Sequence, residues 1–364
     1  MEKLQHGASQ DAEVNKVLEA LFSPKAETNA NEVEHTSNTG YGAELIPTNV
    51  FADSIMEMVQ ERSRLLPMLP GDHGTGLAIS QKVPVIGELG TFKGNSEWTT
   101  GAGTIDQGNT LAPTGSVTIT QGEFKLSIDV SKRELNYASD KLESILKERI
   151  ALSMADTIDA LILNGDSETG ATGNVNSDDG APASTSYYLQ NDGGVRELGI
   201  NGSGTSVNVG TLAIADFIST MNVLGDFMAS PEDCLWVFNR ATYNKALGLA
   251  DFADAAQRGE KATTMGGAIT NVFGSDVLIA KHMPKTEADG KVSTTPANNT
   301  LGQFGLIYKP SIQYGFGQPL ELDVVKVPGK GISLIATFEF GFAIAQKIAG
   351  YADSSVAVGY NVTL

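Results

Sequence analysis

The sequence predicts an α+β fold divided between more than one packed unit. Two stretches, 77–85 and 116–130, alternate apolar and polar residues with the period of β-strands. The stretch 140–163 instead places apolar residues at every fourth position, which is the period of a helix. Helical and strand patterns then alternate over 211–330. The 364 residues are enough for two or three units of about 150 residues each.

The composition excludes several classes of function. Acidic residues outnumber basic ones by 43 to 25, and the net charge of −18 argues against a free-standing nucleic-acid binder. A single cysteine, Cys234, and four scattered histidines exclude a disulfide framework and leave few ligands for zinc or for Cys/His catalysis. No phosphate loop, dinucleotide-type glycine pattern, G-x-S-x-G elbow or HExxH helix occurs. We therefore predict no catalytic residue, no cofactor and no metal; the Asn- and Asp-rich run at 174–180 fails the calcium-loop pattern.

The chain is expected to be soluble and to originate in a cytoplasm. It contains no run of about 18 apolar residues, the length that a membrane-spanning helix needs. Residues 1–10 are polar and lack the apolar segment of a signal peptide.

Residues 1–47 are predicted to form a short helix, a polar linker and an arm. The helix has one apolar face, made of Val14, Val17, Leu18, Leu21 and Phe22. A helix this short cannot bury such a face alone. It therefore either folds back on its own domain or docks on a partner, and the sequence leaves both possibilities open.

Residues 48–86 are predicted to contain a helix over 48–66, capped by Thr48 and ended by Pro67, and then a strand. The return strand, at 116–130, changes the parity of its apolar residues across Gln121 and Gly122, which predicts a bulge or bend there. The long segment between the strands, 87–115, contains the large apolar residues Phe92, Trp98 and Ile105. Loops of this length are usually functional, and exposed aromatic residues usually have a contact to make.

The strongest single element is the helix predicted over 140–163. Asp140 and Glu143 have the spacing of a capping box, and Asn164 with Gly165 provides a C-terminal stop. The predicted core face of this helix consists of Leu142, Leu146, Ile150, Met154, Ile158 and Ile162.

The remaining chain divides into three parts. Residues 165–210 are rich in glycine and small polar residues, contain one basic residue (Arg196), and are interpreted as a surface insertion or small β excursion. Within 211–330 we predict a helix at 214–228, a buried strand at 234–238, a helix at 241–249 and further short strands. Finally, 331–364 is predicted to be one long strand followed by a polar tail.

The order of these elements, with the local sequence, resembles the major capsid proteins of tailed phages, which have the Hong Kong 97-like fold. The resemblance covers about residues 40–350 and is carried by six stretches: GAELIPTNVFADSIMEMVQERSRLL at 42–66, VPV at 83–85, LAPTGSVTITQGEFKLSIDVSKRE at 111–134, DALILNG at 159–165, WVFNRATY at 236–243 and GSDVLIAKHMP at 274–284.

The resemblance implies a division of the chain into an N-terminal arm, an extended E-loop, a P-domain with a long spine helix, and an A-domain. The corresponding ranges are 1–47 (helix, linker and arm), 48–86 (first helix and strand of the P-domain), 87–115 (E-loop), 116–164 (P-domain strand and spine helix), 165–210 (insertion), 211–330 (A-domain) and 331–364 (return strand and tail).

The same resemblance implies a structural protein without enzymatic activity. Copies would assemble through pentamers and hexamers, in the host cytoplasm, into an icosahedral virion shell that encloses double-stranded DNA without sequence-specific binding. The E-loop residues Phe92, Lys93, Trp98 and Ile105 would contact an adjacent subunit, and a loop containing Phe252, Arg258 and Lys261 would lie at the capsomer axis. A scaffolding protein, if used, would be a separate chain, and portal and decoration proteins are possible partners; no covalent cross-link between subunits is predicted.

Three alternatives remain at this point. One is the shell protein of an encapsulin-type compartment, which has the same fold. A second, from a different class, is a secreted glycine-rich adhesin or surface-layer protein, which the absent signal peptide and the long helix disfavour. The third is an enzyme that lacks a known motif.

Overall fold

Two six-stranded sheets, with a long helix across the first of them, carry the fold in a computed structural model. The structure describes residues 58–59, 62–86, 114–253, 268–318, 320–327, 331–345 and 354–364. The predicted N-terminal helix (Val14, Val17, Leu18, Leu21 and Phe22), the E-loop residues Phe92, Lys93, Trp98 and Ile105, and Arg258 and Lys261 lie outside these residues.

The strands are β1 (Gly71–Thr75), β2 (Ser80–Ile86), β3 (Thr114–Ser131), β4 (Ser206–Gly210), β5 (Cys234–Phe238), β6 (Asn271–Val272), β7 (Ser275–Ile279), β8 (Gly302–Tyr308), β9 (Ile312–Phe316), β10 (Glu321–Val327), β11 (Gly331–Ile344) and β12 (Val356–Val362). The α-helices are α1 (Lys132–Asn164), α2 (Val195–Ile200), α3 (Ile214–Leu224), α4 (Arg240–Leu247) and α5 (Ala250–Ala253). Among the helices of the described residues, none combines the length and apolar character that crossing a membrane requires.

The first sheet has the strand order β1-β9-β11-β3-β2, and β10 pairs with one end of β11. Strand β3 is 18 residues long and divides its pairing: residues 114–120 pair with β2, and residues 120–131 pair with β11. Ile86 pairs with Thr114, so the predicted strand and return strand are antiparallel neighbours and form the base of a β2–β3 hairpin around residues 87–113.

Of the bulge or bend predicted at Gln121 and Gly122, the bulge does not occur. Both pairings of β3 run one residue to one without a register shift. The apolar residues move from odd to even positions because the strand buries one face at Ile119 and the opposite face at Phe124. Gly122 allows a close approach instead, because a Cβ there would lie 2.8 Å from Oδ1 of Asn191.

Helix α1 packs on the first sheet and is longer than the sequence predicts. It begins at Lys132, directly after β3, so Asp140 lies inside the helix and does not cap it. Its 33 residues make a rod of about 50 Å. The core that it shares with the sheet includes the stacked rings of Phe124 and Phe338, which are cross-strand partners with centroids 5.1 Å apart.

The helix predicted over 48–66 ends earlier than expected. Helical conformation stops at Arg62, and a 3₁₀ turn follows at Leu66–Met68. The carboxylate of Asp159 on α1 accepts hydrogen bonds from the hydroxyl of Ser63 (2.6 Å) and the backbone N–H of Arg64 (3.0 Å). These bonds satisfy the backbone in a non-helical conformation and fix the segment to α1.

The second sheet has the order β4-β12-β8-β5-β7-β6. Its predicted strand at 234–238 is confirmed as β5, whose five residues are all buried, and the predicted helices appear as α3 and α4. The ring of Phe217 on α3 packs on Trp236 of β5 at 5.5 Å and on Phe304 of β8 at 5.3 Å. This aromatic cluster forms a second core.

The chain changes sheet at points that the sequence did not indicate. It leaves the second sheet after β8, passes through a 3₁₀ turn at Lys309–Ser311, and enters the first sheet as β9 and β10. It then returns to the second sheet as β12. The segment predicted as A-domain, 211–330, therefore contributes strands to both sheets, and the polar tail predicted after β11 is replaced by a strand that lies between β4 and β8.

Residues 165–210 are not a surface insertion. Asn174, Val175 and Arg196 have no exposed side-chain surface, and β4 pairs with β12 in the second sheet. Helix α2 packs on β12 so closely that a Cβ on Gly199 would lie 2.1 Å from Val358. Asn191 reaches the first sheet, where its amide donates to the carbonyl of Thr120 (2.9 Å). This segment therefore connects the two sheets.

Candidate subunit-contact surface

The base of the β2–β3 hairpin presents a largely exposed face. Ser80, Lys82 and Pro84 are exposed on β2, and the residues paired with them (Thr120, Thr118 and Ser116) are exposed on β3. Strand β2 is the last strand of its sheet, a position that tolerates a proline, which has no N–H to donate to a neighbouring strand. Beside it, Ile79 has 76% of its surface exposed, the largest fraction among the exposed large apolar residues of the described chain. Within the described part of the chain no strand pairs with the outer edge of β2, and an unpaired strand edge is a position at which another chain can bind.

A polar joint connects α1 to the end of β7. Asp156 on α1 pairs with the ammonium of Lys281 at 2.6 Å and lies 3.3 Å from Nε2 of His282. Although burial raises the pKa of Asp156, its bonds to Lys281 and His282 outweigh this and lower it. Asp159, one turn further along, is more deeply buried, and this burial raises its pKa. The joint positions the first sheet, with its hairpin, relative to the second sheet.

Arg196 is the centre of a buried network in the 165–210 segment. Its guanidinium donates to Oδ1 of Asn164 (2.9 Å), Oδ1 of Asn176 (2.7 Å), and the carbonyls of Val175 (2.9 Å) and Gly290 (3.2 Å). Burial lowers its pKa to about 10. None of the ion pairs within the described part of the chain involves this side chain, so neutral oxygen acceptors hold the charge.

Glu197, the next residue, lies among other carboxylates. Burial raises the pKa of Glu197 to about 7, and the nearby charges of Asp192 and Asp166 act in the same direction. The native subunit therefore holds a proton on Glu197 between about pH 4.5 and pH 7, where the unfolded chain has lost it. Stability consequently falls as the pH rises through this window.

We expect Glu197→Gln to remove this pH dependence. The thermal midpoint of wild-type subunits should fall by about 3–6 °C between pH 4.5 and pH 8, and the variant should lose most of that fall. Glu232→Gln, at an exposed carboxylate, is the matched control and should keep the wild-type profile. An unchanged profile in the Glu197 variant would contradict the assignment.

Three carboxylates outside these networks also lie together. Oxygens of Asp178, Glu287 and Asp289 are within 4.8 Å of one another, and Asp178 is 3.4 Å from the ammonium of Lys291. Because exposed acidic groups of this kind are common without an ion, we assign no metal to them. Cys234 is buried in β5, and its burial raises its thiol pKa to about 11, as expected of an inert thiol.

The structure places the predicted site residues in different environments. On α1, the side chains of Leu146, Ile150, Met154, Ile158 and Ile162 are buried in the first core, whereas that of Leu142 is outside the described residues. Phe252 has a fully buried side chain that packs edge-on against Phe217, so this side chain presents no surface to a neighbouring copy. The position of its loop at the capsomer axis stays a prediction. The importance of Arg196 was missed, although it is the sole basic residue in 165–210.

Comparison with known proteins identifies the family. The model of the phage capsid family matches residues 42–297, which is more than half of the chain. No curated protein sequence matches.

Solved structures share the fold at low sequence identity. A chain of the satellite phage P4 procapsid, which includes the size determination (Sid) protein, matches with a TM-score of 0.53 and 9% identity, covering 85% of this chain and 90% of that one. A chain of Gordonia phage Cozz matches with a TM-score of 0.52 and 12% identity, covering 82% and 86%. A chain of Microbacterium phage Oxtober96 matches with a TM-score of 0.51 and 12% identity, covering 93% and 96%.

The family match and the shared fold confirm the resemblance found in the sequence and exclude the adhesin and enzyme alternatives. The protein is a structural component of the virion, located in the capsid shell, and has no enzymatic function. The chain belongs to the phage capsid family and is a major capsid protein that forms an icosahedral shell.

Proposed function

We propose that the copies assemble through hexamers and pentamers, and that segment 87–115 of each copy overlies an adjacent subunit. The observation that carries this proposal is the exposed base of the hairpin. Strands β2 and β3, at one end of the first sheet, have an exposed face, and Ile79 beside them is mostly exposed. The exposed face of this strand pair is available for contact with a neighbouring copy. The shell encloses the double-stranded DNA of a tailed phage.

The domain division that we propose follows the sheets rather than the linear ranges. The P-domain consists of the first sheet with α1, and the A-domain consists of the second sheet with α3 and α4. Strands β9 and β10 belong to the first sheet, and β12 belongs to the second. Arg258 and Lys261 stay candidates for the capsomer axis, because their basic side chains follow α5 in the sequence within the range assigned to the A-domain.

Accessory proteins take part in assembly under this proposal. The N-terminal face of Val14, Val17, Leu18, Leu21 and Phe22 docks on a partner, for which a separate scaffolding protein is our choice. The P4 procapsid that matches in fold includes a size determination protein, an accessory component of this kind. The net charge of −18 makes the shell wall repel DNA, so the wall does not bind the enclosed genome. Strong, salt-sensitive DNA binding by isolated subunits would contradict this last point.

Purified chain, separated by size exclusion and imaged by negative-stain electron microscopy, tests the assembly route. Rings of five and six copies, or closed shells, are the expected species. A chain that stays monomeric or dimeric at all concentrations, without larger species, would overturn the proposal.

Deleting residues 90–108 should leave the subunit folded but abolish shells. The deletion removes contacts to the neighbour while the β2–β3 pairing at the base is kept, so the thermal midpoint of the free subunit should change by less than about 2 °C. Replacing the same residues with a glycine-serine linker of equal length is the matched control for loop closure, and it should also fail to assemble. Shells of normal size from either variant would show that this segment is not the contact.

A further inference from the structure

The turn between β6 and β7 contains an unusual residue. Val272 pairs with Ser275, so the hairpin has a two-residue loop made of Phe273 and Gly274. Both have positive φ, 51° and 91°. A turn of this kind favours asparagine or glycine at its first position, because a bulky side chain is strained in the left-handed region. Gly274 meets this requirement and Phe273 does not.

The surrounding structure holds the turn in this conformation. The backbone N–H of Gly274 donates to Oδ1 of Asn271 (2.9 Å), and the hydroxyl of Ser275 donates to the carbonyl of Pro231 (2.7 Å). The buried indole N–H of Trp236 donates to the carbonyl of Val272 (3.2 Å). The conformation of Phe273 is therefore fixed by the second core, and strain that a fold maintains in this way is typical of functional positions.

The side chain of Phe273 does not use this conformation to fill its own core. It is 39% exposed, whereas its neighbour Val272 is 1% exposed. The turn lies at the lateral border of the second sheet, where β6 is the last strand. Because β6 has only two residues, it offers little edge for a neighbour to pair with, which favours contact through the side chain.

We propose that Phe273 is an inter-subunit anchor that inserts into an apolar site on a second copy of this chain. The inference rests on shell assembly and extends it to a contact outside segment 87–115. A second copy is the favoured occupant because a shell places further copies of the same chain around every subunit, and the turn is at the last strand of its sheet. An aromatic side chain held rigidly before contact loses little conformational freedom on binding, which is the property of an interface anchor.

Three substitutions separate backbone strain from contact. Phe273→Asn relieves the strain and removes the apolar group, so free subunits should melt about 2 °C higher while the protein concentration needed for assembly rises roughly tenfold. Phe273→Ala removes the apolar group alone, and it should impair assembly without raising the melting temperature. Phe273→Leu keeps both strain and apolar character and should assemble nearly as the wild type does.

A photo-crosslink identifies the occupant. With benzoylphenylalanine at position 273 of the full chain, irradiation of assembled shells should join two copies, and irradiation of free subunits should not. If wild-type shells form but the asparagine and alanine variants assemble at the wild-type concentration, the anchor is wrong while shell assembly stands. A crosslink to a different protein, or none in shells, would also overturn the proposal.

Discussion

Replacing Arg196 with methionine should prevent stable folding of the subunit, at a loss of about 3–5 kcal/mol in the free energy of unfolding. The guanidinium supplies hydrogen bonds to three buried acceptors, on Asn164, Val175 and Gly290, and to a partly buried one on Asn176. Methionine fills a similar volume but donates none, and each buried acceptor that is left unpaired costs about 1–3 kcal/mol before relaxation. Urea denaturation of free subunits measures the loss.

The matched control for this substitution is Arg149→Met. Arg149 is exposed on α1, and exposed substitutions of this kind change stability by about 0.5 kcal/mol or less. Arg196→Lys is a second test, because an ammonium has three donors on one atom and cannot reach acceptors spread over three segments. We expect it to be nearly as damaging as methionine. If either Arg196 variant unfolded within about 1 kcal/mol of the wild type, the network would not be what connects this segment to the fold.

The network also shows why the 165–210 segment was misinterpreted from the sequence. Its small polar residues have the composition of a surface loop, yet several of them replace missing secondary structure with side-chain hydrogen bonds. Nδ2 of Asn174, for example, donates to the carbonyls of Asp166 (3.0 Å) and Glu168 (2.8 Å). Composition records that residues are polar but does not record whether their partners are water or backbone.

Elements with a strong local period were predicted correctly. The buried strand β5, the helices α3 and α4, and the apolar face of α1 all follow from spacing along the chain. Strand β1 could not be found in this way: its five residues, Gly71–Thr75, are mostly exposed, and only pairing with β9, more than 200 residues later, makes it a strand. The start of α1 was missed because helix and strand meet without a break at Ser131 and Lys132.

The exposed contact surface was predictable in part. The length and aromatic content of 87–115 pointed to a contact segment, and the pairing at its base agrees with a hairpin there. Phe273 had no signal in the sequence beyond a neighbouring glycine. Its interest arises from a backbone angle and from exposure, and both depend on the tertiary contacts that hold the turn.

The second large effect is expected from a substitution in strand β12, which the sequence analysis predicted to be a polar tail. Its small residues are typical of a tail, but the close packing around the strand requires small side chains. Gly359 lies against the ring of Phe304, where a Cβ would be 2.3 Å from the nearest ring carbon. Val358 is fully buried beside Gly199 of α2. In the sheet, it lies opposite Ser206 of β4 on one side and Gly305 of β8 on the other.

We therefore expect Val358→Asp to destabilise the subunit by about 4 kcal/mol or more and to leave no assembled shells, because an unpaired carboxylate would replace an apolar group between two strands and a helix. Thr363→Asp is the matched control. Thr363 is exposed just after β12 and keeps its backbone bond to the carbonyl of Gly210 (2.8 Å), so a carboxylate there should change the unfolding free energy by about 0.5 kcal/mol or less. Denaturation of both variants, with electron microscopy of their assembly products, distinguishes a strand inside the sheet from a dispensable tail. A Val358 variant that folds and assembles like the control would place β12 outside the fold, because only a tail could accept an unpaired charge at that position.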